Sequence, residues 1–190
     1  MTALQVTDID RALEFFERTR QHITGVTAGL SEAQWRFKPA PDRWSIAEIL
    51  EHMVTVEERV LGPVLQRLPE APPPASDADR QLVDRIVLEK IPDRSLRATA
   101  PDMLHPQGSC TPSDALARLS RNYQQLTSVV QSTPDLRDHA IESPPLRFIT
   151  NGAHQLVDGY QLMLLVVAHD ERHVRQMEEV QAAADYPRAA

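Results

Sequence analysis

Val166-Val167-Ala168-His169-Asp170-Glu171-Arg172-His173-Val174-Arg175-Gln176 is the stretch on which the reading of this chain turns. Apolar residues around it recur with a helical period, and His169 and His173 fall on the same stripe as Leu162, Val166, Met177 and Val180. A spacing of four stacks the two imidazoles on one helical face, about a turn apart, where both can reach a single metal ion. The stretch therefore predicts a long helix carrying two inward-facing histidines, and buried imidazoles need partners.

Working outward, three more long helices are expected. The first runs from about Thr7 to Gly29, with Ile9, Leu13, Phe16, Ile23 and Val26 on one stripe, Thr7 or Asp8 as a cap and Gly29 as a stop. The second starts at Trp44-Ser45-Ile46-Ala47-Glu48, where Ser45 and Glu48 fit a capping box. It continues through Ile49, Met53, Val56, Val60 and Val64 to about Leu68, with a kink expected at Pro63. The third begins at Thr111-Pro112, an N-cap followed by proline at the first helical position, and buries Leu116, Leu119, Tyr123, Leu126 and Val130. The fourth spans about Asn151 to Ala184. No segment alternates with period two long enough to demand a sheet, so the expected class is all-α.

The connection from 69 to 110 opens with Pro69-Glu70-Ala71-Pro72-Pro73-Pro74, a stiff extended linker. Asp79 to Lys90 reads as a short amphipathic helix with Leu82, Val83, Ile86 and Val87 on one side, and 92–110 as irregular. A second loop covers 132–150. With no repeat and no clear boundary, 1–190 reads as one domain: a four-helix bundle with a long crossover between its second and third helices.

The 190 residues suffice for one sizeable core. A net charge of −7 argues against a general nucleic-acid or membrane-surface binder. The longest apolar run, Leu162 to Ala168, is far short of a membrane span, and no signal peptide is visible at the N-terminus. A lone cysteine, Cys110, excludes an internal disulfide and fits a reducing cytoplasm.

His52 lies on the second helix, on the stripe of Ile49, Val56 and Val60, so it too faces inward. Two long helices presenting histidines to a shared interior is how bundles build metal sites. His22 falls beside the stripe of the first helix, and His105 and His139 read as solvated loop residues. His154, on a continuous fourth helix, would stand roughly 22 Å from His169 at about 1.5 Å per residue. Spacing and periodicity leave two readings for His52, His169 and His173: ligands of one cation, or three core histidines each satisfied by a hydrogen bond.

The segment Pro41-Asp42-Arg43-Trp44-Ser45-Ile46-Ala47-Glu48-Ile49-Leu50-Glu51-His52, together with Gln161 to Gln176, resembles the DinB-like superfamily (DinB/YfiT-like metalloenzymes). In that family a tryptophan-serine helix start precedes the first histidine, and an H-x-x-x-H near the end of the last helix supplies two more. Leu30 to Pro39 also resembles the family's loop after helix one, while 69–110 is least like it. The resemblance implies a four-helix bundle, commonly a homodimer, with Ni²⁺, Zn²⁺ or a similar divalent ion on His52, His169 and His173. It further implies a small-molecule substrate and thiol-dependent transfer among the known activities. One departure stands out: members often carry an acid in the turn after the first histidine, whereas Met53-Val54-Thr55-Val56 follows His52 here and the nearest carboxylates are Glu57 and Glu58.

Three neutral imidazoles leave the charge of a divalent ion uncompensated and a position open, the ligand pattern of a catalytic site. A water there becomes acidic enough for metal-assisted hydrolysis, while a low-molecular-weight thiol, as thiolate, would compensate the charge. Glu48, Asp170 and Glu171 are the carboxylates nearest in sequence. Capping suits Glu48 better than base chemistry, and a solvated face suits Glu171. Tyr160 reads as core and Cys110 as a bystander. The competing expectation is a non-catalytic dimeric bundle, binding or sensing a small molecule, whose histidines complete the core. Surplus apolar faces on the first and fourth helices would supply the dimer contact.

Overall fold

A computed structural model describes residues 6–73, 80–96 and 99–188; within them, nothing is assigned to the side chains of Val6, Val60, Leu61, Val64 and Leu65. Four elements form the bundle: α1 (Val6–Thr27), α3 (Ile46–Val56), α6 (Pro112–Ser132) and α8 (Gly159–Gln181). Helix α1 packs on α8 and α6, and α3 packs on the same two, which closes a ring in the order α1, α8, α3, α6. Their apolar stripes meet in one core containing Phe15, Phe16, Ile23, Ile49, Leu50, Met53, Leu119, Tyr123, Leu126, Met163, Val167 and Met177. No helix among the described residues is long and apolar enough to cross a membrane.

The local signals explain where the helices start. Ser45 caps α3 by accepting from Glu48 N, while the Glu48 carboxylate accepts from Ser45 N, the box expected there. Thr111 caps α6 with Pro112 in its first turn. Past the end of α1, Gly29 adopts φ +66°, a left-handed conformation that favours glycine. Between α1 and α3, the short α2 (Glu32–Arg36) has its own capping box from Ser31 and Gln34.

The second bundle helix differs from expectation at Pro63. It widens into a π turn, Glu57–Leu61, and resumes as α4 (Gly62–Arg67). Pro63 offers no N–H to the carbonyl one turn back, and a π turn just ahead of it absorbs that defect. Val60 and Val64, placed on the apolar stripe, fall among the side chains that are not described.

The fourth helix starts later than its apolar pattern suggests. Asn151 and Gly152 have φ of 50° and 84°, which no helix accommodates. Asp158 then caps α8, accepting from Gln161 N at 2.8 Å while Gln161 Oε1 accepts from Asp158 N at 3.0 Å. His154 thus lies in a turn outside α8. The loop 132–150 also carries structure: β1 (Ala140–Glu142) pairs antiparallel with β2 (Leu156–Asp158), Ile141 opposite Val157, and α7 (Pro144–Ile149) lies between them. Three-residue strands are too short to show as alternation in sequence.

The foot of α8 is held by charge as well as packing. Arg137, 5 % exposed, pairs with Asp84 at 2.9 Å and Asp158 at 3.0 Å, approaches Asp8 at 3.5 Å, and lies over the Tyr160 ring at 4.1 Å. Gly159 donates to the Leu136 carbonyl at 2.7 Å. A Cβ on Gly159 would come within 2.7 Å of that oxygen and press on Leu68, so only glycine lets the two segments meet.

Helix α5 (Arg80–Lys90) packs on α8 from outside the ring. Its inward residues are Val83, Asp84 and Val87; Leu82, expected on the apolar side, is 40 % exposed. Asp84 takes the inward position because Arg137 and Gln161 meet it there. With α5 in place, the surplus apolar face expected on the fourth helix is largely covered within the chain. Pro74 and Asp79 lie outside the described residues.

Candidate metal centre

Three ring nitrogens, one each from His52, His169 and His173, lie within 4.8 Å of one another. Helix α3 contributes the first and α8 the other two. The ring centroids are 4.6 Å apart for His52 and His173, 5.3 Å for His52 and His169, and 4.4 Å for His169 and His173. His52 and His173 are buried and His169 is partly exposed, so the cluster opens towards solvent on the His169 side.

The outer nitrogens explain the orientation. His52 Nδ1 faces the Leu104 carbonyl at 2.8 Å, and a carbonyl only accepts, so Nδ1 carries the proton. His173 Nδ1 donates to Gln176 Oε1 at 2.9 Å. In both rings Nε2 is left with a free lone pair. The Nε2 atoms of His169 and His173 stand 3.1 Å apart. Two ligands on a tetrahedral ion with bonds of about 2.0 Å would be separated by about 3.3 Å, so the pair is close to ligand spacing. His169 Nδ1 is buried without a hydrogen bond, 3.7 Å from Asp170 Oδ1, which also lacks one. A proton on that Nδ1 suits the carboxylate and turns a third lone pair towards the other two. These donors fit a divalent cation, which would take the place of the proton that a hydrogen bond between the two Nε2 atoms needs.

A buried acidic group backs His169. Tyr123 Oη donates to Asp170 Oδ2 at 3.0 Å, and Asn122 Nδ2 donates to Glu57 Oε2 at 2.5 Å. Burial first, then the Asp170 carboxylate, push Glu57 well above the usual carboxylate range. Glu57 stands at the start of the π turn, where the sequence offered only a departure from the familiar pattern. Trp44 covers another side: its ring lies 4.8 Å from that of His52 and is stacked 6.4 Å from that of His173.

The remaining sequence candidates are otherwise engaged. Glu48 caps α3 and pairs with Lys38 at 3.0 Å. Glu171 is 8 % exposed rather than solvated, because His22 of α1 approaches it at 3.2 Å and Arg175 at 3.4 Å. Tyr160 is buried and donates to the Asp8 carbonyl, as befits a core residue. Cys110 is half-buried, and burial followed by the charge of Glu51 pushes its thiol up. His105 was expected in solvent but packs edge-on against Trp44 at 5.8 Å, with Nε2 on the Ala100 carbonyl. His139 meets the Ala71 carbonyl at 2.6 Å.

Sequence reasoning missed Glu51. Its buried carboxylate accepts from Gln107 N, Gly108 N, Ser109 N and Ser109 Oγ, which brings 104–109 of the crossover over His52. A glutamate beside an inward histidine, with a glycine in the loop, was the available signal.

Burial, then the charge of His169, push His52 down to about 4, against the pull of the Leu104 carbonyl. His173 is held well below the ordinary range by burial, then by His169 and His52. Both rings stay neutral in the folded, metal-free protein, whereas the unfolded chain takes up protons below about 6.5. The unfolded state then binds more protons, so stability is lost as pH falls from about 6.5 towards about 4. For His52 alone the shift is worth roughly 3 kcal/mol. Urea denaturation of chelator-treated protein should show the midpoint dropping between about pH 7 and about pH 5, with a shallower drop in His52→Gln. A midpoint independent of pH would contradict it.

A model of the DinB superfamily matches residues 16–177. The chain is 24 % identical over 169 residues to the uncharacterized protein YuaE of Bacillus subtilis (strain 168), covering 88 % of this chain and 96 % of YuaE. Among solved structures it is similar to YfiT from Bacillus subtilis, described as a probable metal-dependent hydrolase with an unusual four-helix bundle topology. That likeness has a TM-score of 0.62 at 12 % identity and covers 98 % of this chain and 93 % of YfiT.

Proposed function

Since the chain belongs to the DinB superfamily, we propose that it is a metal-dependent enzyme acting on a small molecule, with one divalent ion held by His52, His169 and His173. The observation that carries this reading is the convergence of three imidazole nitrogens whose outer nitrogens are already engaged or faced by a carboxylate. A divalent ion held by these three neutral imidazoles would supply Lewis acidity to a bound substrate. The chain supplies the rest: Leu104 and Gln176 fix two rings, Asp170 backs the third, and Trp44 keeps water off one side. The likeness to YfiT supports metal-assisted hydrolysis as the reaction.

One observation favours thiol-dependent transfer as a second reading. Glu48 and Glu171 are committed to other partners, and Asp170 is fully buried beside His169 Nδ1, which leaves none of the three placed to serve as a base. A thiol cofactor arriving as thiolate needs no such base and would balance the ion's charge.

Elemental analysis of untagged protein prepared without chelator should find about one divalent ion per chain, nickel or zinc before others. Panels of ester, amide and thiol-transfer substrates then separate the two reactions. Protein that carries no ion and shows no thermal shift with added Ni²⁺ or Zn²⁺ would overturn the proposal.

A further inference from the structure

The Glu51 carboxylate is 4 % exposed and accepts four hydrogen bonds from one loop: Gln107 N at 3.1 Å, Gly108 N at 2.8 Å, Ser109 N at 2.8 Å and Ser109 Oγ at 2.6 Å. Three successive backbone N–H groups converging on an anion form a nest, and Gly108 supplies the left-handed residue such a turn needs, at φ +69°. Nests commonly take anions from outside; this one is filled by a helix carboxylate of the same chain. Glu51 and His52 are neighbours on α3. The loop that grips Glu51 also delivers the Leu104 carbonyl to His52 Nδ1, and Arg59 steadies it through the Met103 carbonyl at 3.0 Å.

We propose that Glu51 is a positioning residue for the metal centre: by anchoring 107–109 it holds the Leu104 carbonyl on His52, and so keeps the His52 Nε2 lone pair aimed at the cation. The proposal rests on the three-histidine reading for its metal readout. The tautomer it requires exists in the metal-free protein and is measured separately. Glutamine in place of Glu51 keeps the shape but turns an amide N–H₂ towards backbone N–H donors, so at least one grip is lost. Partners that orient a metal-bound imidazole typically change affinity by about 10–100-fold when removed.

Nitrogen NMR of histidine-labelled, metal-free protein should show His52 as a single Nδ1–H tautomer in the wild type and as a tautomer mixture in Glu51→Gln. Titration with Zn²⁺ should give a Kd weaker by about 10–100-fold in that variant. Glu48→Gln, which keeps the capping box of the same helix but removes the charge facing Lys38, should leave the His52 tautomer and Kd as in the wild type. Should Glu51→Gln fail to fold, Gly108→Ala loosens the nest without touching the carboxylate and is expected to move both readouts the same way. A Glu51→Gln protein with the wild-type tautomer and Kd would overturn the proposal, as would Glu48→Gln shifting both to the same extent. A wild type that binds no Zn²⁺ sinks the metal reading instead; the tautomer comparison then decides whether Glu51 positions His52.

Discussion

A His169→Ala/His173→Ala protein is expected to remain helical and to take up no divalent ion. The substitutions remove two of three converging nitrogens and leave His52 alone of the three proposed ligands. Affinity should fall by more than the roughly 10–100-fold that loss of an orienting partner costs, since the bonds themselves are gone. The metal-free variant bears the cavity left by His173, about 1–3 kcal/mol, and loses the 3.1 Å contact between the two Nε2 atoms with it. The contrast appears on adding metal: wild type at a hundredfold excess over Kd gains about 2.7 kcal/mol, and the variant gains nothing. Isothermal titration and thermal melts with and without Zn²⁺ measure both. A variant that keeps one ion per chain would mean that the ligands lie elsewhere.

Replacing Arg137 by methionine should cost stability without touching metal binding. Its guanidinium sits among Asp8, Asp84 and Asp158, with Asp84 and Asp158 almost fully buried. Burial already holds the Asp158 carboxyl above its ordinary value despite the arginine beside it. Without that arginine, two buried carboxylates lose their counter-charge, and breaking a buried pair from one side costs about 3–5 kcal/mol. At about 2–4 °C per kcal/mol for a chain of this size, the melting temperature should fall by roughly 6–20 °C. Differential scanning calorimetry gives the number. A drop of less than about 2 °C would show that the cluster is solvated and the ion pairs contribute little.

Much of the bundle was legible because its signals are local and periodic. The Ser45–Glu48 box, the Thr111-Pro112 start and the stripes of α1, α6 and α8 each declare themselves within a few turns. His169 and His173 were legible as a pair for the same reason, since one helix fixes their spacing. That His52 meets them depends on how α3 packs on α8, which periodicity suggests only through its inward face. What stayed hidden is non-local. Glu51 owes its burial to a loop more than fifty positions along the chain, Glu57 to Asp170 and Asn122, and Asp84 to Arg137. The late start of α8 was obscured because the apolar residues of β2 extend the helical pattern backwards across a turn that only backbone geometry reveals.

The arrangement of α8 separates two tasks along a single rod. Its foot, at Asp158 and Gly159, is locked to Arg137 and Leu136, and its imidazoles come ten and fourteen residues later, roughly 15–20 Å up the axis. Groups that far apart with no shared neighbour contribute nearly independently to free energy. Under the proposed function, lineages could therefore retune the three imidazoles while the clasp below keeps the fold unchanged. Such modularity gives a single scaffold room for divergent chemistries.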